Sequence, residues 1–168
     1  MSDWTQHPEK YPWVPITDWA RLAAYIDGEG TIYISRQAPT ASYKSMRYAI
    51  YVRVTNTSLE LMEWLKQTFG GTYTARLRPA PYKTIYVWST ASRRASWILS
   101  HCYHFLIIKQ DRAAVAQQLQ GLVTGHWQLT HERVLGQRGL GKLLPWVLED
   151  RERLYRIMRE LNSGKKVA

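Results

Sequence analysis

The sequence predicts an α+β fold in which one antiparallel sheet is covered by helices on one face, with elements in the order α-β-β-α-β-β-α. Three observations carry that expectation. Apolar residues recur at helical spacing in separate stretches, two pairs of segments between them alternate with period two, and glycine or proline marks the junctions. The 168-residue chain is long enough to bury a single core without disulfides or structural metal.

Residues 1–16 carry Pro8, Tyr11, Pro12, Trp13 and Pro15 without periodicity and read as an extended arm. A first helix is expected from about Thr17 or Asp18, where a side-chain oxygen can cap free N–H groups. Trp19, Leu22, Ala23 and Ile26 then recur at helical spacing, and Gly28 offers the stop. Beyond Gly30 the period changes to two. Ile32 and Ile34 oppose Tyr33, Ser35 and Gln37; after a turn around Pro39 to Ser42, Tyr48, Ile50, Val52 and Val54 oppose Arg47, Ala49, Tyr51, Arg53 and Thr55. Ser58 can cap a second helix that runs to Phe69 and ends at Gly70-Gly71. A second hairpin is expected near Thr72 to Arg78 and Thr84 to Ser89, with Thr74, Arg76 and Arg78 on its polar parity and Trp88 on either face. Helical patterns follow over about 93–105, 110–123 and 143–161. The expected organisation is an arm (1–16), a core domain (17–125) and a basic helical extension of the same domain (126–168). Two helix-plus-hairpin units give the core the outline of a pseudo-repeat.

Composition narrows the function. No apolar run approaches the ~20 residues of a bilayer span, and the lone Cys102 can form neither an internal disulfide nor a cysteine-based zinc site. The N-terminus lacks a basic-then-apolar signal pattern, so the expected location is intracellular, cytoplasmic or nucleoid. Lys and Arg number 23 against 13 Asp and Glu, a net charge of +10 with a pI near 9.9. Such a surplus favours a polyanionic partner. If helices cover the apolar face of the hairpins, the opposite face presents Arg, Tyr, Thr, Ser and Gln, side chains that bond base edges and phosphates. A two-stranded ribbon also fits the major groove of DNA.

Leu22-Ala23-Ala24-Tyr25-Ile26-Asp27-Gly28-Glu29-Gly30 ends a helix rich in small residues on two acids. Ala20, Ala23 and Ala24 would let a second helix approach closely. Asp27 and Glu29 fall among the free carbonyls of a helix end, where a carboxylate calls for a compensating cation. A hard divalent metal would supply it, and carboxylate, carbonyl, water and phosphate oxygens suit Mg²⁺.

This segment resembles the LAGLIDADG motif of homing endonucleases, and the likeness extends beyond it. Thr31-Ile32-Tyr33-Ile34 is similar to the strand that follows the motif, and Val54-Thr55-Asn56-Thr57-Ser58 to the passage after the first hairpin. Phe69-Gly70-Gly71 and Phe105-Leu106-Ile107-Ile108-Lys109 match later landmarks, so the ordered set spans about 17–123. Two departures stand out: Ala24 replaces the usual motif glycine, and the final acid is Glu. The resemblance implies a saddle-shaped sheet and a site-specific endonuclease that makes a metal-dependent double-strand break. Glu29 would bind the metal with help from the Gly28 carbonyl. Asn56 would order active-site water, Lys109 would assist the water network or the scissile phosphate, and Asp27 would secure the helix end and interface. Mg²⁺ is the implied cofactor, with Mn²⁺ substituting and Ca²⁺ occupying the site without turnover.

Only one such motif is present, so cutting both strands implies a homodimer joined through Ala20, Ala23, Ala24 and Asp27 on a long, roughly palindromic double-stranded DNA target. The expected DNA readers are Tyr33, Ser35, Gln37, Arg47, Tyr51, Arg53, Thr74, Arg76, Arg78 and Tyr86. Arg133, Arg138, Lys142, Arg151 and Lys165 are expected to touch phosphates or face water. The alternative is a non-cleaving binder of the same fold, an RNA maturase for a host intron or a DNA-binding regulator.

Overall fold

The structure, a computed structural model, describes residues 12–41, 45–129 and 145–164, with backbone alone for 125–129. Helix α1 (Ile16–Glu29) leads into strands β1 (Gly30–Gln37) and β2 (Arg47–Asn56), then helix α2 (Leu59–Phe69) and strands β3 (Thr72–Arg76) and β4 (Ile85–Ala91). Helix α3 (Ser92–Cys102), a 3-10 turn (Tyr103–Phe105), helix α4 (Gln110–Leu129) and helix α5 (Pro145–Ser163) complete the described chain. The strands form one antiparallel sheet in the order β1-β2-β4-β3. No helix among the described residues is long and apolar enough to cross a membrane. Arg133, Arg138, Lys142 and Lys165, and most of the N-terminal arm, lie outside the described residues.

Period-two burial decides which face the helices cover. Ile32, Ile34, Tyr48, Ile50, Val52 and Val54 are buried, while their neighbours Tyr33, Ser35, Arg47, Tyr51 and Arg53 remain at least partly exposed. Against the apolar face pack Leu22 and Ile26 of α1, Met62, Leu65 and Phe69 of α2, Ile98 and Leu99 of α3, and Leu119, Leu154 and Met158 from α4 and α5. Such one-sided burial leaves the other face of an antiparallel sheet open.

Several boundaries differ from the sequence expectation. Helix α1 begins at Ile16 with Pro15 at its cap and no side-chain cap, because the Pro15 carbonyl already accepts from the N–H groups of Asp18 and Trp19. It also runs through Gly28 and stops only at Gly30. Ser58 does cap α2, its hydroxyl accepting from the Leu61 N–H at 3.2 Å. Strand β3 ends at Arg76, so Arg78 sits in the connecting loop with its guanidinium 4.6 Å over the Tyr82 ring rather than on a strand parity. Pro79 and Pro81 cannot donate ladder hydrogen bonds, which shortens the strand.

Trp88 is fully buried on the core face, and its indole N–H donates to the Gly70 carbonyl at 2.8 Å. That fixes the parity of β4: Tyr86 lies opposite Asn56 and Ala75, on the covered side, and meets Tyr73 edge to face. Tyr86 is therefore a partner of the core and not a DNA reader. Close packing at this point requires Gly71, at φ +82°, since a Cβ there would lie 2.7 Å from the Ser89 carbonyl oxygen.

Helix α5 closes the free edge of β1. The Asn162 amide donates to the Ile32 carbonyl at 2.9 Å, and Glu152 accepts from Arg36 at 2.8 Å and from the Tyr48 hydroxyl at 2.5 Å. A covered edge cannot template pairing with another chain. Arg151, expected at phosphates or in water, is instead buried and donates to the Leu122 carbonyl at 3.1 Å. Burial, and then the Glu152 carboxylate, push the Tyr48 phenol up to about 12 from its ordinary 10.0. The folded state thus keeps this proton where the unfolded chain loses it. Its stabilisation is complete below about pH 10 and fades as pH rises toward about 12. Denaturant unfolding across this range is expected to show a shallower alkaline loss for Tyr48→Phe than for the parent. Equal slopes would disconnect Tyr48 from the effect.

Candidate catalytic centre and nucleic-acid interface

The end of α1 and the start of α4 are tied by a reciprocal clamp. The Asp27 carboxylate accepts from three consecutive backbone N–H groups: Ile107 at 2.6 Å and Ile108 at 3.2 Å on one oxygen, Lys109 at 2.9 Å on the other. In return the Lys109 ammonium donates to the carbonyls of Ile26 at 2.7 Å and Asp27 at 2.6 Å. The acid satisfies the orphan donors before α4, and the amine satisfies the orphan acceptors ending α1. Burial lowers the Lys109 pKa from its ordinary value; the Asp27 carboxylate opposes that shift and Arg112 adds to it. An Asp27→Ala variant is expected to lose about 2 kcal/mol in urea unfolding, because three donors to a charged acceptor lose their partner where water can partly replace it. An unchanged midpoint would refute the clamp.

Glu29 stands free of the core at the helix exit. It is exposed and accepts a hydrogen bond from the Asn56 amide, whose own oxygen accepts from the Ser58 N–H at 2.8 Å. The Ser58 contact leaves the Asn56 NH₂ as the group facing Glu29. Asn56 comes from the last residue of β2 and Glu29 from the last of α1, 27 positions apart in sequence. The fold thus brings together Glu29 and Asn56, and it ties Lys109 to the same last turn of α1 that Gly28 belongs to. Among the described residues no group of three or more His, Cys, Asp or Glu could form a protein-only metal cage. One exposed carboxylate and the last-turn carbonyls are hard oxygen donors. They fit a Mg²⁺-type ion that completes its shell with water and phosphate, and they do not fit zinc.

The outer face of α1 divides the predicted interface residues. Ala23 is fully buried in the chain's own core and cannot meet a partner; at 100° per residue it sits with Trp19, Leu22 and Ile26. Ala20 and Ala24 are at least partly exposed and continue from Ile16, itself 70% exposed, as a stripe four residues apart. Ile107 and Ile108, at 89% and 66% exposure, stand beyond the Asp27 end of the same helix.

On the open sheet face, strand register aligns Tyr33 with Tyr51, Ser35 with Ala49, Gln37 with Arg47 and Thr31 with Arg53. Tyr33 and Tyr51 stack at 5.1 Å with rings 12° apart, and Arg53 donates to the Tyr33 hydroxyl at 3.0 Å. Arg47 donates to the Gln37 side-chain oxygen. Thr74 and Arg76 extend the face on β3 and are exposed. Thr72 and Ser89, absent from the sequence expectation, share this face because Ser89 neighbours the core residue Trp88. The usable signal was the parity of Trp88. No Asp or Glu occurs from Gly30 to Leu59 or from Trp64 to Gln110, so all four strands are free of carboxylates.

No protein-family model matches the sequence, and no curated protein does. Solved structures do match. The homing endonuclease I-CvuI in complex with its target in the presence of Ca superposes with a TM-score of 0.67 at 16% identity, over 91% of this chain and 87% of that one. The archaeal intron-encoded homing endonuclease I-Vdi141I complexed with DNA gives 0.65 at 14% identity, over 90% and 89%. The LAGLIDADG homing endonuclease I-SmaMI bound to cleaved DNA gives 0.60 at 15% identity, with 92% of this chain covering 51% of that one. The present chain has the homing-endonuclease fold. At 14–16% identity the likeness is one of fold.

Proposed function

We propose that the chain is a LAGLIDADG homing endonuclease: a site-specific, metal-dependent DNA endonuclease that acts as a homodimer and hydrolyses one phosphodiester per strand, leaving 3′-hydroxyl ends. The observation that carries this is the exposed Glu29, held by Asn56 at the threshold of a basic, carboxylate-free sheet face. A protein that only binds DNA gains little from a carboxylate beside phosphate.

Glu29 and the Gly28 carbonyl would hold the metal, which when bound activates water and stabilises charge on the phosphate. Asn56 keeps the Glu29 carboxylate in one orientation. Lys109 brings a fixed positive charge to the same helix end, and the clamp through Asp27 keeps it there. The open face supplies base and phosphate contacts in the groove. The Ile16, Ala20 and Ala24 stripe, with Ile107 and Ile108 beyond it, supports pairing of two copies about a two-fold axis.

Cleavage selection from a randomised duplex library with Mg²⁺ or Mn²⁺ tests this proposal. The expected product is a long, roughly palindromic site cut on both strands. Sites that are bound but uncut with both metals would replace the nuclease with a binding protein. Sedimentation without DNA is expected to show a dimer, and a stable monomer would overturn the shared-helix arrangement.

A further inference from the structure

Two arginines on the open face each donate to a neutral neighbour. Arg53 donates through Nη2 to the Tyr33 hydroxyl at 3.0 Å, and its guanidinium carbon lies 5.2 Å from the centre of the Tyr33 ring, which is itself stacked on Tyr51. Arg47 donates through Nη2 to the Gln37 side-chain oxygen across the register pair Gln37 and Arg47. The Arg53 Nε is buried and meets no acceptor, which closes the Nε side of that guanidinium to a ligand. What remains able to meet a base is the end-on edge, Nη1 and Nη2, the fork that matches O6 and N7 of guanine in the major groove.

Both side chains lie on β2, six residues apart. At ~3.4 Å per residue they are separated by roughly 20 Å along the strand. Successive base pairs rise by ~3.4 Å along the axis and the groove winds around it, so the separation spans roughly four base pairs and at most six. Arg53 belongs to the end of the hairpin next to Glu29, its register partner Thr31 being two residues beyond that acid. Arg47 belongs to the far end, beside the last residue of β1.

We infer that each half-site carries two guanines roughly four to six base pairs apart, the inner one read by Arg53 and the outer one by Arg47. Tyr33 and Gln37 are positioning residues. Each takes one proton of its arginine and fixes the direction of the fork, so Gln37, whose oxygen is engaged, does not itself read adenine. This inference rests on the proposed function, since it specifies the DNA that function acts on.

The test is selection of a randomised duplex library by binding in Ca²⁺, carried out with the full chain and with Arg53→Met, Arg47→Met and Tyr33→Phe. Recovered wild-type half-sites are expected to show two guanines at the stated spacing. Arg53→Met should weaken the inner preference by about tenfold to a hundredfold and spare the outer, and Arg47→Met should do the reverse. Tyr33→Phe should broaden the inner position alone while thermal unfolding is unchanged. Enriched sites without the guanine pair, or preferences that both move with either arginine, overturn the inference and leave the proposed function standing. Enrichment of no duplex at all overturns both.

Discussion

A Glu29→Gln protein is expected to lose Mg²⁺-supported DNA cleavage by on the order of 10³-fold or more while its DNA affinity changes by only a few-fold. The size follows from what the substitution removes. Glutamine keeps the length of the side chain, and its amide oxygen can still accept the hydrogen bond that Asn56 donates. Only the charge that would hold a divalent ion is gone. Glu29 is exposed and takes no part in the buried core, so the fold has no reason to respond. Single-turnover cleavage, with a gel-shift titration in Ca²⁺ alongside, reads the two effects separately. Cleavage equal to wild type would remove Glu29 from the metal site. A parallel loss of binding would make it a DNA contact.

The second large effect comes from the motif's last glycine. A Cβ on Gly30 would lie 2.6 Å from the Ile26 Cα, 2.7 Å from the Ile26 oxygen and 3.1 Å from the Arg53 oxygen, all backbone atoms that cannot swing aside. Gly30→Ala is therefore expected to lower stability by about 3 kcal/mol in urea unfolding and to depress cleavage as well, because Glu29 is the preceding residue. Gly28 makes the opposite case. Nothing lies within 4 Å of a Cβ there, and the residue is helical. Gly28→Ala should leave the isolated chain unharmed, or more stable by up to about 1 kcal/mol. If two α1 helices pack together, the same methyl meets the partner, and self-association measured by sedimentation should weaken by about tenfold or more. Unchanged association would take Gly28 off the shared face, and a tolerated Gly30→Ala would show that the helix-to-strand crossing has room to spare.

The first hairpin was legible in the sequence because its alternation is unbroken from Ile32 to Ile34 and from Tyr48 to Val54, and each apolar position proved buried. The second was harder. Its short β3 has almost no buried side chain, and in β4 both Val87 and Trp88 are buried, so period two fails where it was needed. Tyr86 was consequently assigned to the wrong face. Ala23 was misread for a different reason. Small size marks a residue that permits close approach but does not say from which side, and only the 100° step that groups it with Trp19 and Ile26 decides. The partnership of Asn56 with Glu29 and the Asp27–Lys109 clamp join positions 27 and 82 apart, which no local pattern encodes. The acids themselves were visible at once, because a carboxylate at the electronegative end of a helix is out of place without a purpose.

The sheet keeps its two parities apart: Ile32, Ile50, Val52 and Val54 hold the molecule together, while Tyr33, Ser35, Gln37, Arg47, Tyr51 and Arg53 occupy the alternate positions. Substitutions along the second set, which is partly or fully exposed, change less of the energy that folds the chain than substitutions along the first. If this face reads DNA as proposed, recognition can drift one side chain at a time without the lineage first accumulating spare stability. The same separation makes this hairpin a ready scaffold for retargeting, in which a library confined to the outward positions leaves the interior and the acid-tipped helix as they are.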